Sequence, residues 1–342
     1  MRLRGEMFMI DRDKVVWRST SLHSHEAALP KSRRDFLKQA ATLACACCVS
    51  VEDSAQSKNQ GGSPHLEFPT RPRDRLAVTS WPFRAYIESP ARKASVPSID
   101  FKEFPAMVVE KFAVYNVNPL LNHFPSTDPA YVESFREAVA KARSHIVDLG
   151  LPGRCFATAD TATAAAAVQD GCKWIDIAAA LGSPSVRQHL SARQGEMPAA
   201  AAAAIHLARL ADYGGKRNVV VNLENDNAVA EDPYFIVNVL EKVNNPYLRA
   251  LPDFGNSVVR YGEEGNEKAV AAMLKHAFNM CHVKGAIQPE GGQTYHVDLK
   301  RMFEIARQNS YRGYFSMEFD TNGGDPFAGT TKLIDETLQY LG

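Results

Sequence analysis

From Arg75 to Gly342, the sequence alternates between short runs rich in Val, Ile, Leu and aromatic residues and longer amphipathic segments. Alternation of this kind indicates repeated βα units and a parallel sheet. The predicted strands are residues 76–81, 114–119, 145–149, 174–178, 219–223, 248–253, 280–283 and 314–318. The predicted helices are residues 101–112, 128–143, 161–170, 197–213, 232–243, 264–278, 297–308 and 325–341.

Eight strands and eight helices within about 270 residues match a (β/α)8 TIM barrel, built as a single α/β domain over residues 75–342. An open doubly wound sheet is the alternative. That fold would need a Gly-rich phosphate loop after an early strand, and the sequence contains no G-x-G-x-x-G. The barrel is therefore the preferred prediction.

A different pattern precedes the barrel. Ser32-Arg33-Arg34-Asp35-Phe36-Leu37-Lys38 resembles the twin-arginine export motif, and an apolar stretch over residues 39–51 follows it. This order predicts a leader in residues 1–53 and a flexible linker in residues 54–74, with a basic amphipathic helix as the alternative for the Arg pair. We therefore expect export by the twin-arginine route, to the periplasm or outside the cell.

Composition limits the partners of the chain. The 39 basic and 39 acidic residues give a formal net charge of zero, which argues against a nucleic-acid surface. No apolar run approaches the roughly 20 residues of a transmembrane helix. Thr42-Leu43-Ala44-Cys45 matches a lipoprotein box poorly, which favours secretion over lipid anchoring at Cys45. The sequence is compatible with a homo-oligomer.

Glu224, Asp253, His282 and Glu318 stand at the carboxyl ends of the last four predicted strands. Successive members are separated by roughly 30 residues, the length of one βα unit. They therefore recur at the same height in the barrel, at the end where active sites are built. Singly, a strand-end Glu or Asp is usually a cap and a lone His a core residue, but four at matching heights favour a metal site.

The chemistry of these four residues also favours a metal. Three carboxylates and an imidazole that converge without cations repel one another in a low-dielectric cavity, and a divalent cation removes that cost. Oxygen and nitrogen ligands without thiolate indicate Mn as the first choice, with Mg, Co and Zn as alternatives.

Four motifs carry a family resemblance. They are Leu223-Glu224-Asn225, Pro252-Asp253-Phe254-Gly255-Asn256, His282-Val283-Lys284-Gly285 and Met317-Glu318. They resemble the motifs of the sugar phosphate isomerase/epimerase superfamily of xylose-isomerase-like TIM barrels, and the resemblance covers residues 75–342. It implies that Glu224, Asp253, His282 and Glu318 hold one divalent ion, and that the two glutamates also act as the catalytic acid/base pair.

The chain departs from this family pattern in two places. Asn256 stands where epimerases of the family often carry a His, three residues after the Asp ligand. Ala230 stands where they often carry a second Glu, and Glu231 follows one residue later. We therefore expect the substrate contacts to differ from those of known ketohexose epimerases.

Five side chains near the predicted mouth are candidate substrate contacts. They are Asn256, Lys284, His123, Arg187 and Trp81. Lys284 and Arg187 are suited to stabilise an enolate or to bind an acidic group. Trp81 is suited to an apolar sugar face, as is Phe83, with core packing as the alternative for both. His123 is suited to a hydroxyl group, with an ordinary loop histidine as the alternative.

The resemblance and the metal site together predict a metal-dependent sugar isomerase, epimerase or related lyase that acts through an enediolate. Predicted export favours an unphosphorylated keto- or aldo-sugar, a keto-glycoside or a cyclitol as the substrate. Two alternatives stay open. One is a secreted, non-catalytic sugar-binding module with a structural metal. The other is phosphodiester hydrolysis as in endonuclease IV, which uses a histidine-rich multinuclear zinc cluster.

Overall fold

The computed structural model describes residues 62–90, 98–289, 292–320 and 324–341. The strands are β1 (Leu76–Thr79), β2 (Asn116–Asn118), β3 (His145–Ile146), β4 (Leu149–Gly150), β5 (Ser185–Gln188), β6 (Val220–Glu224), β7 (Leu248–Leu251), β8 (Met280–Val283), β9 (Ala286–Ile287), β10 (Tyr295–His296) and β11 (Tyr314–Met317). The helices are α1 (Phe104–Phe112), α2 (Pro129–Lys141), α3 (Thr161–Ala180), α4 (Ala200–Arg217), α5 (Pro233–Val243), α6 (Val258–Leu274), α7 (Leu299–Gln308) and α8 (Pro326–Leu341). The predicted leader, with its twin-arginine motif and Cys45, lies outside the described residues.

The barrel closes through parallel strand pairing. β1 pairs with both β2 and β11, and β8 continues the sheet beyond β11. β4, β5, β6 and β7 form a second parallel run. Bridges between Leu120 and Gly150 and between Asp253 and His282 join the two runs. Since β3 and β4 share the third position, the described residues form the eight-position ring that the sequence predicts.

The main core lies between the strands and the surrounding helices. β1, β5 and β8 are buried at every position, as expected of parallel strands whose outer face is covered by helices. Inside the ring, Ala77, Val147, Leu251 and Met280 form a small apolar cluster. Fully buried polar side chains occupy other interior positions, and they bear on the functional site.

Helix ends follow from local sequence. The Asp160 carboxylate accepts a hydrogen bond from the Thr163 amide at 2.7 Å and caps α3. Asp232 caps α5 in the same way, and Pro233 occupies its first turn. Asn218 and Asn244 end α4 and α5 in the left-handed conformation, with φ of 52° and 46°. No described helix combines the length and apolarity that a bilayer crossing requires.

The predicted strand at residues 174–178 is wrong, because this segment is the second half of α3. Its buried residues recur with helical spacing, at Ala167, Gly171, Trp174 and Ala178. The strand at the fourth barrel position is β5, which ends in the two polar residues Arg187 and Gln188. Arg187 therefore lies within the strand and does not follow it.

The segment before β1 contacts the amino-terminal ends of β8 and β11. The Phe68 ring packs edge-on against Phe278 and Tyr314, at centroid distances of 5.4 and 6.0 Å. The Arg75 guanidinium donates to the Gly313 carbonyl at 3.0 Å. Residues 62–74, the last part of the predicted linker, thus lie on the barrel end opposite the predicted mouth. At the mouth itself, β9 and β10 form an antiparallel hairpin that the strand pattern did not predict.

Candidate metal centre

Four barrel strands bring the predicted ligands together. Glu224 is the last residue of β6, and His282 is the third residue of β8. Asp253 follows β7 by two residues and forms a bridge with His282. Glu318 directly follows β11, where its amide donates to the Val283 carbonyl at 3.0 Å. All four side chains therefore stand at the carboxyl end of the ring.

These side chains converge on one buried point. One ligand atom from each lies within 4.8 Å of the others. The Nδ1 atom of His282 lies 2.6 Å from Glu224 Oε1, 2.9 Å from Glu318 Oε2 and 4.0 Å from Asp253 Oδ2. Since carboxylate oxygens accept hydrogen bonds, Nδ1 carries a hydrogen that it shares with the two glutamates as a hydrogen-bond donor. Glu318, the most exposed of the four, is only 7% exposed.

The charges at this point depend on one another. Burial opposes a charged imidazole, but Glu224 and Glu318 outweigh it and raise the pKa of His282 to about 10. Burial raises the pKa of Asp253 to about 7, against the opposing effect of Lys284. Burial also acts on Glu318, yet Lys284 and His282 lower the pKa of its carboxyl to about 2. The carboxylates therefore require nearby positive charge in this cavity.

Asp253 shows that the set fits a divalent cation. Its Oδ1 accepts hydrogen bonds from the amides of Gly255 and Asn256, at 2.8 and 2.7 Å. Its Oδ2 is buried and has no hydrogen-bond partner among the described residues. A buried carboxylate oxygen without a hydrogen bond is costly, and coordination to a cation would satisfy it. The oxygen and nitrogen donors suit Mn, Mg, Co or Zn.

Metal uptake should release a proton, because His282 must lose its Nδ1 proton to coordinate a cation. At pH 8, Asp253 has lost its proton (pKa about 7), whereas His282 retains its own (pKa about 10). We expect about one proton per bound metal, and about a tenfold gain in affinity from pH 8 to pH 9. Calorimetric titration in buffers of different ionisation enthalpy measures this release, and metal binding without proton release would contradict the account.

Lys284 and Asn256 lie beside the four ligands. The Nζ atom of Lys284 donates to Asn256 Oδ1 at 2.7 Å and lies 3.0 Å from Glu318 Oε1. It also lies 3.5 Å from Asp253 Oδ2 and 3.6 Å from Asp320 Oδ2. Asn256 in turn donates from Nδ2 to the Asn225 carbonyl at 3.0 Å. The ammonium group thus supplies permanent positive charge at the edge of the centre.

A cavity of about 240 Å³ opens above the centre. Its lining combines apolar residues, among them Trp81, Leu120, Leu151, Pro152 and Ile287, with polar ones, which are Asn122, Arg187, His189, Glu224, Asp226, Asn227, Asn256, Lys284, Glu318 and Asp320. Trp81 is 37% exposed, and its indole Nε1 donates to Asp320 Oδ1 at 3.3 Å. Arg187 is buried and donates from Nη1 to Glu224 Oε2. The cavity therefore combines one aromatic wall with many hydrogen-bonding groups.

Three other predicted residues lie elsewhere. The Nδ1 atom of His123 contacts Ser80 Oγ at 2.9 Å, and its ring packs edge-on against Phe101. Phe83 is fully buried in the aromatic core, whereas Trp81 lines the cavity. His296 is exposed on the β10 hairpin. Of His123, His282 and His296, only His282 is among the four converging ligands.

His189, which lines the cavity, and its hydrogen-bond partner Glu231 are not among the predicted site residues. Glu231 accepts hydrogen bonds from His189 Nδ1 at 2.7 Å and from the Leu190 amide at 2.8 Å. The Nε2 atom of His189 then accepts from Arg187 Nη1 at 2.7 Å and lies 4.0 Å from Glu224 Oε2. The position of His189 just beyond the fourth strand would have indicated it, had that strand been placed correctly.

The closed ring and its buried carboxylate–histidine centre define a TIM barrel with its functional site at the carboxyl ends of the strands. Residues 109–341, more than half of the chain, match the model of the xylose isomerase-like TIM barrel family. The chain belongs to this family. No curated protein sequence matches the chain significantly.

Solved structures share the fold at low sequence identity. A xylose isomerase-like TIM barrel protein from Mycobacterium smegmatis in complex with magnesium is 17% identical, with a TM-score of 0.59 over 78% of this chain and 96% of that chain. The D-allulose 3-epimerase of Methylomonas sp. in complex with D-allulose is 16% identical, with a TM-score of 0.62 over 82% and 100%. An L-ribulose 3-epimerase is 16% identical, with a TM-score of 0.61 over 78% and 95%.

Proposed function

We propose that the protein is a divalent-metal-dependent isomerase or epimerase of an unphosphorylated sugar, a keto-glycoside or a cyclitol. One observation carries the proposal. Glu224 and Glu318 reach the same buried point from strands three positions apart in the ring, and both line one cavity. Two carboxylates placed in this way suit removal of a proton by one and its return by the other.

The residues of the centre have separable roles in this proposal. Asp253 and His282 would hold the cation together with the two glutamates, and we take Mn²⁺ as the first candidate. A cation bound there supplies Lewis acidity, which acidifies the C–H bond beside a coordinated carbonyl group. One glutamate Oε atom would take that proton, and the other glutamate would return a proton at the opposite face or the adjacent carbon. Lys284 would balance negative charge that develops beside Glu318.

The cavity supports a small polyhydroxylated substrate. A volume of about 240 Å³ is small for a polymer, and the lining offers many groups that hydrogen-bond hydroxyls. Trp81 provides the one large exposed aromatic face on the lining. Structural neighbours include epimerases of D-allulose and L-ribulose, one with D-allulose bound.

We propose export from the twin-arginine motif. Because phosphorylated sugars are mostly cytoplasmic, export favours an unphosphorylated substrate. The cations of the cavity also favour it. Arg187 pairs with Glu224, and Lys284 lies among Asp253, Glu318 and Asp320. Both cations therefore pair with carboxylates of the protein, and neither is set aside to bind a phosphate group of the substrate.

Solvent-deuterium exchange tests the reaction class. Purified protein loaded with Mn²⁺ should incorporate solvent deuterium at a carbon next to the carbonyl group of at least one sugar in a broad panel of keto- and aldo-sugars. Exchange should stop when a chelator removes the metal. Nuclear magnetic resonance of the recovered sugars measures it. Sugar binding without exchange across the panel would instead support the non-catalytic binding module.

A further inference from the structure

A group of fully buried polar side chains lies inside the ring, next to the metal centre. It consists of Asn118, Asp148, Ser185, Asn222 and Asn279, all with no exposed surface. Polar groups at such depth are costly unless they are hydrogen-bonded to one another. One member, Asn118, directly contacts His282, so the group has a bearing on the centre.

The orientation of the Asn118 amide follows from its neighbours. Its Nδ2 atom donates to the Asp148 carbonyl oxygen at 3.0 Å and to Asp148 Oδ2 at 3.2 Å. Its Oδ1 atom therefore faces the other way, 2.9 Å from His282 Nε2 and 3.4 Å from Ser316 Oγ. An amide oxygen only accepts hydrogen bonds, so Nε2 of His282 must carry a hydrogen.

Asp148 is itself held in place. Asn222 Nδ2 donates to Asp148 Oδ1 at 3.1 Å, and Ser185 Oγ lies 2.5 Å from the same oxygen. Asn279 Nδ2 donates to Ser185 Oγ at 2.8 Å and thereby supports that contact. Because these five side chains, which lie in or directly beside strands of the ring, brace one another, Asn118 has little freedom to turn its amide over.

We infer that Asn118, anchored by Asp148, is a positioning residue that fixes the His282 ring and leaves Nδ1 as its metal-binding nitrogen. The inference rests on the metal centre of the proposed function. Hydrogen-bond partners of metal-bound histidines commonly fix the tautomer and orientation of the ring. In this protein the neutral amide of Asn118, held by the buried carboxyl group of Asp148, fixes the tautomer and orientation of the His282 ring.

Replacement of Asn118 tests this role. Asn118→Leu keeps the approximate volume but removes the acceptor, so we expect the affinity for Mn²⁺ or Zn²⁺ to fall by about 10–100-fold. Asn116→Leu is the matched control. Asn116 lies on the same strand and is buried, but its Nδ2 donates to the Asp74 and Leu76 carbonyls at 2.8 and 2.7 Å. The control should bind metal with wild-type affinity.

A double variant in which the two side chains are exchanged distinguishes loss of the hydrogen bond to His282 from loss of structure. In Asn118→Asp/Asp148→Asn, the new carboxylate accepts from His282 Nε2 and the new amide can donate to it. We expect this double variant to regain wild-type metal affinity. Competition with a chromophoric chelator measures all four proteins. Wild-type affinity in Asn118→Leu would overturn the inference, as would equal losses in the Asn116→Leu control.

The wild-type protein provides a test that does not depend on any variant folding. With ¹⁵N-labelled histidine and bound Zn²⁺, the His282 ring should show Nδ1 coordinated and a slowly exchanging hydrogen on Nε2. A hydrogen on Nδ1 would overturn the inference while leaving the metal centre intact. Failure of the wild-type protein to bind any divalent metal would instead defeat the proposed function, and the inference with it.

Discussion

Glu318→Gln should lower turnover by about 10²–10⁴-fold, the range in which a positioned proton-transfer group contributes, while sugar affinity changes little. The amide keeps the size of the side chain but cannot take or give the proton. It also keeps one oxygen as a weaker ligand, so the loss should appear in kcat more than in KM. Steady-state kinetics together with a calorimetric measurement of sugar and metal binding give the result.

Glu264→Gln is the control for this substitution. Glu264 lies on α6 with its side chain 83% exposed, and among the described residues its ion-pair partner is Lys268 in the same helix. Its replacement should leave kcat, KM and metal content unchanged. If Glu318→Gln kept wild-type turnover, Glu318 would not be a proton carrier, and the acid/base pair would have to be sought elsewhere on the cavity wall.

Asp253→Asn should remove metal binding and at the same time stabilise the metal-free protein at pH 8. Loss of a direct ligand should exceed the roughly 10–100-fold loss in affinity that is typical when only a partner of a ligand is removed. The gain in stability has a separate cause. Burial raises the pKa of Asp253 from 3.8 to about 7 in the folded protein, so the folded state binds this proton more tightly than the unfolded chain.

The sign of the effect follows from this difference. Below pH 3.8 the carboxyl is protonated in both states, and as pH rises towards 7 the folded state loses stability relative to the unfolded one. Above pH 7 the loss of stability caused by the buried Asp253 carboxylate is complete, and the neutral amide of Asp253→Asn removes this loss. A net gain of about 1–2 kcal/mol would raise the Tm of a domain of this size by about 2–8 °C. Thermal unfolding in the presence of a chelator measures the shift.

Asp226→Asn provides the comparison for Asp253→Asn. Asp226 lines the same cavity, and burial also raises the pKa of its carboxyl, but it is not one of the four converging ligands. The Asp226→Asn variant should therefore keep wild-type metal affinity. If Asp253→Asn retained metal, or if Asp226→Asn lost it, the ligand set would be wrong. A lower Tm for metal-free Asp253→Asn at pH 8 would contradict the electrostatic account.

The four ligands could be predicted because each lies at or just beyond the carboxyl end of a strand whose sequence is largely apolar. Val219-Val220-Val221 before Glu224 is such a run. Once the strand ends are placed, the parallel ring fixes the relative heights of the polar residues that follow. The structure places Glu224, Asp253, His282 and Glu318 within one group for this reason.

The fourth strand shows where the prediction fails. β5 reads Ser185-Val186-Arg187-Gln188, which lacks the apolar character of a buried strand because Ser185 and Arg187 face the interior polar residues of the ring. The apolar segment at residues 174–178 was predicted as a strand in its place. Helix and strand periodicity are hard to separate over five residues, and only the longer spacing from Ala167 onward identifies the helix.

The interior polar group could not be predicted for a different reason, whereas His189 was missed because the fourth strand was misplaced. Asn118, Asp148 and Asn222 come from different positions around the ring, and each is an ordinary polar residue within its own local sequence. Their structural role depends on hydrogen bonds between distant segments of the chain, such as that from Asn222 Nδ2 to Asp148 Oδ1 at 3.1 Å. Contacts of this kind depend on barrel register and side-chain direction, which spacing alone does not determine.

The central claim is that one divalent cation binds between Glu224, Asp253, His282 and Glu318. Anomalous scattering from a crystal of the Mn²⁺-loaded protein tests it most directly. We predict one strong peak at coordination distance from these four side chains, with Nδ1 of His282 as the nitrogen ligand. A peak instead among His189, Asp226 and Glu231, the second group of potential ligands on the cavity wall, would contradict the account, as would no peak at the four residues.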